Sequence, residues 1–560
     1  AVADKRGVPA RKQIDSRRPG SPSAAPAAGQ AARSRRARPR RMRAALLRAC
    51  CLLAFLSPGA RADGLWLPTY LSDSMVMPRE PFRARLWGKG PAGADVAVSL
   101  HGQGSTEHYA ATVGQDGKWL LELDPHPAGV GYRLDIECGG ESAAIEDVAF
   151  GDLWMCAGQS NMNIGAYYDF AWGDWLNSHT QYSEGVRIGR LGEAFTLRRM
   201  EDGSSASSQP NPWDRVSIWS MDFFSAVCYS FGTRLYDQLG RGVPIGLLQV
   251  AWSGASISEF MTPDALADTT CGGTQDHADI PDLASFERPA WVWNGMVSPL
   301  LNFRWSGFVW YQGESNVWDP EPYACHQPAM IADWRVQFDL PDATFVFVEA
   351  HAFPSPPNFA GLRHAQSAAL RLDNVGMVTA VDLGDPEAPQ GKEHPRRKDE
   401  IGRRLVLEAL HRYYKRSERG VGPVVAALER VGAGTFRLRY TPESSAGLHA
   451  HGGADCHLVG SGHCCAESPF EAEAGGEWTR VESWEIHGDS VQLSGVREDA
   501  TAVRYAWESY PQCLLYNGEG GSDDHLGIAG SPFRLEIGTT TGTTTGTTGT
   551  TTGTTGTTTG

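Results

Sequence analysis

The chain lacks several features that would have placed it in a common class of protein. It has no Gly-x-Ser-x-Gly motif, so the nucleophile turn of the α/β-hydrolases is absent. It has no Cys-x-x-Cys pair, which argues against a zinc site or a dithiol redox centre. No Asn-x-Ser/Thr sequon occurs, so N-glycosylation is not expected. No segment reaches the roughly 18 consecutive apolar residues of a membrane span.

Basic residues are scarce outside the first 62 positions. That segment holds fifteen Lys and Arg against only Asp4 and Asp15, a net charge of +13, whereas the whole chain carries −15. By subtraction, the remainder carries about −28. A body this acidic is not expected to bind nucleic acid through its phosphates.

The basic N-terminal segment has the pattern of a processed leader. Residues 1–41 indicate a disordered basic leader, and residues 42–62 a secretory signal peptide. Met42-Arg43 begins a short positive region, a mostly apolar stretch follows, and Ala60-Arg61-Ala62 has the small-x-small pattern of a cleavage site. Cleavage is predicted after Ala62, which indicates a secreted or lysosomal protein.

The chain contains eleven cysteines, of which Cys50 and Cys51 leave with the predicted signal peptide. The nine others permit up to four disulfides and one free thiol in a secreted chain. Their spacing does not indicate which cysteines pair.

Hydrophobic periodicity divides the remaining chain into four parts. Short alternating strands separated by Gly/Pro turns predict a β-sandwich over 63–149 and a second one over 419–537. Between them, at 150–418, apolar strands alternate with helical stretches, which predicts an α/β domain with a parallel sheet covered by helices on both faces. Residues 538–560 are a Gly/Thr low-complexity tail that cannot bury a core.

Individual elements of the α/β part are also predicted. The expected strands are Leu153–Cys156, Ile245–Ala251, Phe308–Tyr311, Thr344–Glu349 and Gly376–Val381. Three helices are expected: one with its apolar face at Phe223, Val227, Phe231, Leu235 and Leu239, one over Tyr323–Asp339 and one over Pro395–Tyr414. The last of these has a proline in its first turn.

Candidate catalytic residues follow four of these strands. They are Ser160, the segment Trp252-Ser253-Gly254-Ala255, the segment Gln312-Gly313-Glu314, and His394. Ligands of open parallel sheets bind at the carboxyl ends of the strands, so these residues are expected to meet at one edge.

Ester hydrolysis assigns a role to each candidate. Ser160 is the candidate nucleophile and His394 the base that takes its proton. The backbone N–H groups of Ser160 and Gly254 and the side-chain amide of Gln312 are candidates for the oxyanion hole. Glu314 is expected to brace its loop by accepting backbone N–H bonds rather than to act in catalysis.

Several sequence blocks resemble the sialate O-acetylesterases, which are SGNH (GDSL-like) hydrolases. The similar blocks are Gly151 to Met162 (GDLWMCAGQSNM), Trp310 to Asn316 (WYQGESN), Ile331 to Arg335, His394 to Arg396, Val503 to Trp507, Cys513 to Tyr516 and, near the start, Leu71 to Met77. The resemblance therefore extends from about residue 65 to residue 537 and keeps the order of the blocks.

The resemblance implies an SGNH three-layer α/β/α domain flanked by β modules. It implies Ser160 as nucleophile, His394 as base, and Gly254 and Gln312 as oxyanion donors. It implies removal of acetyl groups from sialic acid or related acetylated sugars, in a lysosome or outside the cell. It implies no metal and no organic cofactor, and an acetylated sugar or glycan is the expected substrate.

Two departures from the family pattern concern the pocket and the base. The second block reads Trp252-Ser253-Gly254-Ala255-Ser256-Ile257-Ser258 where the family usually has Trp-Gly-Gly-Thr-Pro-Ile-Glu. Many SGNH enzymes have an Asp three residues before the histidine, a position that Gly391 occupies here. Asp385, Glu387, Glu393 or a backbone carbonyl remain as groups that would orient His394.

Three other functions remain open from the sequence. One is a non-catalytic glycan-binding protein on the same scaffold, which the altered second block suggests. Another is an acetylesterase acting on a different polysaccharide such as acetylated xylan. The last is an SGNH lipase or thioesterase, for which the sequence shows no sign of a long apolar groove.

Overall fold

A computed structural model describes residues 64–191, 200, 213–267, 271, 289–354, 358–452, 465, 467–518 and 527–538. The predicted leader (1–41), the predicted signal peptide (42–62) with its cleavage after Ala62, and the Gly/Thr tail beyond Gly538 lie outside these residues. Within the described ranges, no helix combines the length and apolar character that a membrane crossing requires.

The first part of the described chain is all β. Its strands are β1 (Val76–Pro78), β2 (Arg85–Lys89), β3 (Asp95–Gly102), β4 (Ser105–Thr112), β5 (Lys118–Glu122), β6 (Gly129–Cys138) and β7 (Glu141–Gly158). Strands β4, β3, β6 and β7 form an antiparallel sheet in that order, and β2 pairs with β5. Alternate residues of β3 and β6, such as Val96 and Leu134, are buried, as a period of two requires.

The middle part alternates strands and helices. Its elements are α1 (Ser160–Asn163), α2 (Trp172–Ser178), β8 (Val186–Arg190), β9 (Trp213–Arg215), α3 (Ile218–Asp222), α4 (Ala226–Gln238), β10 (Ile245–Ala251), α5 (Pro263–Ala267), β11 (Gly307–Tyr311), α6 (Tyr323–Gln337), β12 (Thr344–Glu349), α7 (Phe359–Ser367), β13 (Val375–Thr379) and α8 (Lys398–Arg412). A single-turn π-helix spans Trp293–Val297.

These strands form one sheet in the order β13-β12-β11-β7-β10-β8-β9, parallel throughout except for β9. Both faces of the sheet are buried. Phe308 and Trp310 of β11 belong to one hydrophobic core with α6 and α7, whereas Val309 and Tyr311 belong to another with α4 and α8. This arrangement is the predicted three-layer α/β/α domain, and the fold class is confirmed.

The last part is again all β. Its strands are β14 (Val425–Gly432), β15 (Thr435–Tyr440), β16 (His449–Gly452), β17 (Phe470–Ala474), β18 (Glu477–Arg480), β19 (Ser483–His487), β20 (Ser490–Ser494), β21 (Ala502–Tyr505), β22 (Cys513–Tyr516) and β23 (Phe533–Glu536). They form the antiparallel sheets β14-β15-β20-β19 and β18-β17-β21-β23 and the pair β16-β22, around a common core.

The domain limits given above remain predictions. Strand β7 runs for 18 residues through the predicted limit at 149/150, so the N-terminal antiparallel sheet and the central parallel sheet share this strand.

The predicted helix over Pro395–Tyr414 begins later than expected, at Lys398. Pro395 is therefore not in its first turn. Asp385 accepts hydrogen bonds from both the backbone and the guanidinium of Arg396, which hold this segment in a loop conformation.

Three disulfides join described cysteines: Cys156–Cys228, Cys271–Cys325 and Cys465–Cys513. Cys138 is buried and free. Cys456 and Cys464, which complete the predicted set of nine, lie outside the described residues.

Candidate active site

Three of the sequence blocks meet because their strands are neighbours in the sheet. Strand β7 lies between β10 and β11, and all three end at the same edge. Past the last paired residues, Gln159 N–H donates to the carbonyl of Tyr311 (3.1 Å), and Trp252 N–H donates to the carbonyl of Gly158 (2.9 Å). The segments carrying Ser160, Gly254 and Gln312 therefore leave the sheet side by side.

Gly158 is required at this edge by the close approach of two backbones. Its φ is +147°, and a Cβ built on it would lie 2.1 Å from the carbonyl oxygen of Tyr311. No side chain fits in that space, so only glycine lets the chain turn here towards Ser160.

Ser160 begins helix α1, which is a single turn, and its side chain is partly exposed. One turn has little macrodipole, so the anion-stabilising capacity of this site lies in individual N–H groups. Among the described residues, neither Ser160 N–H nor Gly254 N–H donates to another backbone or side-chain group. Gly254 has φ +82° and faces open space. These two backbone donors, which follow neighbouring strands, are thus free of partners among the described residues.

His394 lies in the loop before α8 and is mostly buried. Its Nδ1 is 2.7 Å from the carbonyl oxygen of Gln390. A carbonyl only accepts, so Nδ1 carries the proton and Nε2 has a free lone pair. Nε2 is buried and has no hydrogen-bond partner among the described residues. Burial lowers the pKa of His394, and the Gln390 carbonyl opposes this effect by favouring the protonated ring.

Of the groups that were candidates for orienting His394, only one lies within hydrogen-bond distance of the ring among the described residues. Asp385 is occupied by the guanidinium of Arg396 at 2.6 and 2.9 Å. Glu393 Oε1 is 3.7 Å from His394 Nδ1, outside hydrogen-bond distance, and its side chain is half exposed. Glu387 is exposed and forms no hydrogen bond with the ring. The backbone carbonyl of Gln390 is the group that orients His394.

Asn161, which the sequence argument did not single out, links the segments around Ser160 and His394. Its side chain is buried, and its Nδ2 donates to Glu314 and, at 2.8 Å, to the carbonyl of Glu393. Asn161 follows Ser160, and Glu393 precedes His394, so this bond brings the two candidate catalytic segments together. Ser160 Oγ itself forms no hydrogen bond to another described residue, and catalytic hydrogen bonds often tighten only when substrate binds.

Two buried charges flank the Asn161 amide. Lys398 Nζ donates to Asn161 Oδ1, and Glu314 accepts from Asn161 Nδ2. Burial lowers the pKa of Lys398 and raises that of Glu314, while each charge favours the charged form of the other. The predicted bracing role of Glu314 therefore involves a side chain, that of Asn161. The one feature of the sequence that could have pointed to Asn161 is that its amide side chain directly follows the candidate nucleophile, Ser160.

Gln312 is buried and heavily engaged inside the protein. Its Nε2 lies within hydrogen-bond distance of three acceptors: Gln159 Oε1 (3.0 Å), the Ala255 carbonyl (3.1 Å) and Asn316 Oδ1 (2.7 Å). Its Oε1 accepts from the hydroxyl of Tyr323 at 2.9 Å. In this structure its amide joins the segments that follow β7, β10 and β11 through Gln159, Ala255 and Asn316, and its role as an oxyanion donor stays a prediction.

The altered second block is integrated into the site. Ser253 Oγ accepts from Asn163 Nδ2 at 3.1 Å, which ties this turn to helix α1. Ser258 Oγ pairs with Ser256 Oγ at 2.7 Å, and the neighbouring Glu259 is buried with its carboxylate accepting from the backbone of Ser256. Ser258, which stands where the family usually has Glu, is therefore a buried hydroxyl that pairs with Ser256.

No group of three or more His, Cys, Asp or Glu side chains in the described ranges has an arrangement that would hold a metal ion. The candidate site offers a hydroxyl, an imidazole and backbone N–H groups, which are the components of acyl transfer through a serine.

The chain is similar to known carbohydrate esterases. A family model described as a carbohydrate esterase, sialic acid-specific acetylesterase, matches residues 150–390. Sialate O-acetylesterases of Rattus norvegicus and Homo sapiens are 29% and 28% identical to the chain, over 83% and 81% of it and 94% and 90% of their own sequences. The crystal structure of a carbohydrate acetylesterase from Xanthomonas citri superposes with a TM-score of 0.69 at 25% identity, and covers 84% of this chain and 100% of its own. The resemblance predicted from the sequence is confirmed.

Proposed function

We propose that this chain, which the comparisons identify as a carboxylic ester hydrolase of the sialate O-acetylesterase kind, removes O-acetyl groups from sialic acid or related acetylated sugars by a Ser-His mechanism. The observation that carries the mechanism is the 2.7 Å contact between His394 Nδ1 and the carbonyl oxygen of Gln390. Because Nδ1 donates to the Gln390 carbonyl, Nε2 is the nitrogen available to accept a proton.

The first half of the reaction forms an acetyl-enzyme. Ser160 Oγ attacks the acetyl carbonyl carbon while His394 Nε2 takes the hydroxyl proton. The C–O bond to the sugar then breaks, and the imidazolium returns the proton to the departing sugar oxygen. In the second half, a water molecule attacks the acetyl carbon and gives a proton to His394. Acetate leaves, and the proton returns to Ser160.

The negative oxygen of each tetrahedral intermediate needs donors. The N–H groups of Ser160 and Gly254 are available for this role, since no other described residue accepts from either of them. Gln312 becomes a third donor if one of its N–H groups exchanges an internal acceptor for the oxyanion.

Substitution of Gln312 by Ala separates its two roles. Loss of one oxyanion donor typically lowers kcat by about 10²–10³-fold. We expect a fall of that size with KM unchanged if Gln312 donates to the oxyanion. A large loss of thermal stability with proportionate loss of active enzyme would instead assign it to bracing the loops.

We further propose that the protein acts outside the cell or in a lysosome. The signal-peptide pattern at 42–62 supports a secretory route. The three disulfides support it as well, because such bonds persist in oxidising compartments.

The decisive experiment measures acetate release from 9-O-acetylated sialic acid and from acetylated xylan, with Ser160→Ala as the control. A fluorophosphonate probe reports the nucleophile independently of substrate choice. We expect labelling and acetate release that both disappear in Ser160→Ala. Acetate release only from acetylated xylan would show that the substrate is an acetylated polysaccharide rather than sialic acid. A folded wild-type protein that neither reacts with the probe nor releases acetate would refute the esterase proposal and favour the alternative of a glycan-binding protein on this scaffold.

A further inference from the structure

Arg190 lies at the candidate site but has no part in the mechanism above. It is the last residue of β8 and is paired in register with Gln249 of β10, the strand that leads to Gly254. Its side chain is exposed at the carboxyl edge of the sheet, the edge from which Ser160 also projects.

The guanidinium of Arg190 is anchored to the turn that carries the nucleophile. Nη2 donates to Asn163 Oδ1, and Nη1 donates to the carbonyl of Phe223, both at 3.4 Å. Asn163 is the last residue of α1, which begins with Ser160. Both bonds are long and go to uncharged acceptors. The guanidinium therefore keeps most of its hydrogen-bonding capacity, and no carboxylate among the described residues forms an ion pair with it.

Two other cations near the site, Arg396 and Lys398, are already paired or buried. Arg396 is held by two bonds to Asp385. Lys398 is fully enclosed and bonded to Asn161. The chain as a whole carries a net charge of −15, so an anionic substrate approaches against an unfavourable field. A held, exposed guanidinium beside the nucleophile is the group that would favour such a substrate locally.

The surface next to Arg190 is aromatic. The Phe223 ring, whose residue is 61% exposed, contacts the ring of Tyr167 with centroids 5.8 Å apart. The neighbouring Tyr168 lines a recess together with His394. Aromatic surface and a guanidinium thus border the site on the side of α1, and together they suit a sugar that has both apolar C–H faces and a carboxylate.

We propose that Arg190 is a specificity-determining residue that binds the carboxylate of an acetylated sugar acid, so that the enzyme selects anionic acetylated sugars over neutral ones. The planar fork of the guanidinium matches a carboxylate with two parallel N–H···O bonds. This inference rests on the proposed function, since it assigns the substrate class of the same site.

The test compares Arg190→Gln with wild type on two substrates: 9-O-acetylated sialic acid, which is anionic, and p-nitrophenyl acetate, which is neutral and small. Loss of hydrogen bonds to a charged group lowers affinity by about tenfold to hundredfold. We expect kcat/KM to fall by that factor for the sugar acid, mainly through KM, and to stay unchanged for p-nitrophenyl acetate. Arg190→Lys should restore part of the loss, because it keeps the charge without the fork.

Lys392→Gln is the matched control, since it removes one exposed positive charge two residues from His394. An equal loss in Lys392→Gln and Arg190→Gln would overturn the inference in favour of a general field effect. An equal loss on both substrates would overturn it in favour of a structural role. If wild type hydrolyses both substrates and Arg190→Gln has the same kcat/KM as wild type on each, the inference is refuted and the proposed function stands. A wild type that hydrolyses neither refutes the proposed function and the inference with it.

Discussion

Substitution of Asn161 by Ala tests whether one amide holds the candidate site together. The change removes three hydrogen bonds: to the carbonyl of Glu393, to the carboxylate of Glu314 and from the ammonium of Lys398. It leaves a cavity where two buried charges were joined through a polar side chain.

The magnitude follows from the kind of bond lost. Hydrogen bonds to charged groups contribute about 1.5–3 kcal/mol each and neutral ones about 0.5–1.5 kcal/mol. The three bonds share one side chain and are not independent, so we expect the free energy of unfolding to fall by about 3–5 kcal/mol. That is a large part of the 5–15 kcal/mol typical of a folded protein.

Denaturant unfolding measures the loss of stability, and kcat on an activated acetate ester measures the effect on the site. Asn163→Ala is the matched control because it removes an amide from the same helical turn. Its described partners include the uncharged side chains of Gln249 and Ser253 and the exposed guanidinium of Arg190, whose bond is long at 3.4 Å. We expect that control to lose about 1–2 kcal/mol. Equal losses in the two variants would refute the reasoning, since the buried charges of Glu314 and Lys398 would then not depend on Asn161.

Four further predictions follow from the same structure. Gly158→Ala should destabilise the fold by about 3 kcal/mol or more, measured by thermal unfolding, because the new Cβ collides with a backbone carbonyl that cannot move; an unchanged melting temperature would contradict this. The acid limb of kcat/KM should have its midpoint below the ordinary histidine value, because burial lowers the pKa of His394 and the neutral base therefore persists to lower pH. Glu393→Gln should move that limb further down, since the carboxylate raises the pKa, and the difference between the variants should shrink in 1 M salt; a shift to higher pH would contradict it. Removing the Cys156–Cys228 disulfide, which closes a loop of 72 residues, should cost about 4 kcal/mol of stability by the chain-entropy relation, and equal melting temperatures with and without reductant would contradict it.

Local pattern was sufficient for the buried strands of the central sheet. Ile245–Ala251 and Thr344–Glu349 have the bounds expected from their continuous apolar runs, because a parallel strand covered on both faces admits few polar residues. The start of the helix preceding β10 was less well predicted. Its apolar spacing extends from Phe223 to Leu239, but the helix itself is Ala226–Gln238, since Ser225 caps its first turn by accepting from Cys228 N–H.

The composition of the candidate site was also readable in part. A serine, a glycine and a glutamine at the ends of neighbouring strands share an edge in any parallel sheet, so Ser160, Gly254 and Gln312 were predicted to lie close together. The sequence did not predict whether each of these residues has an N–H group that no other residue uses. Gln312 Nε2 has three internal acceptors, and these come from segments up to 153 residues away in the chain.

The sequence by itself determined the strand–helix alternation, the position of Ser160 after a buried strand and the family resemblance, because each depends on residues adjacent in the chain. Tertiary structure alone decided that a backbone carbonyl orients His394, that Asn161 joins the segments of the nucleophile and the base, and that Lys398 and Glu314 are buried beside it. Asn161 and Lys398 are 237 positions apart. Contacts between residues so far apart depend on strand order and helix packing. The hydrophobic periodicity of a local segment does not specify either of them.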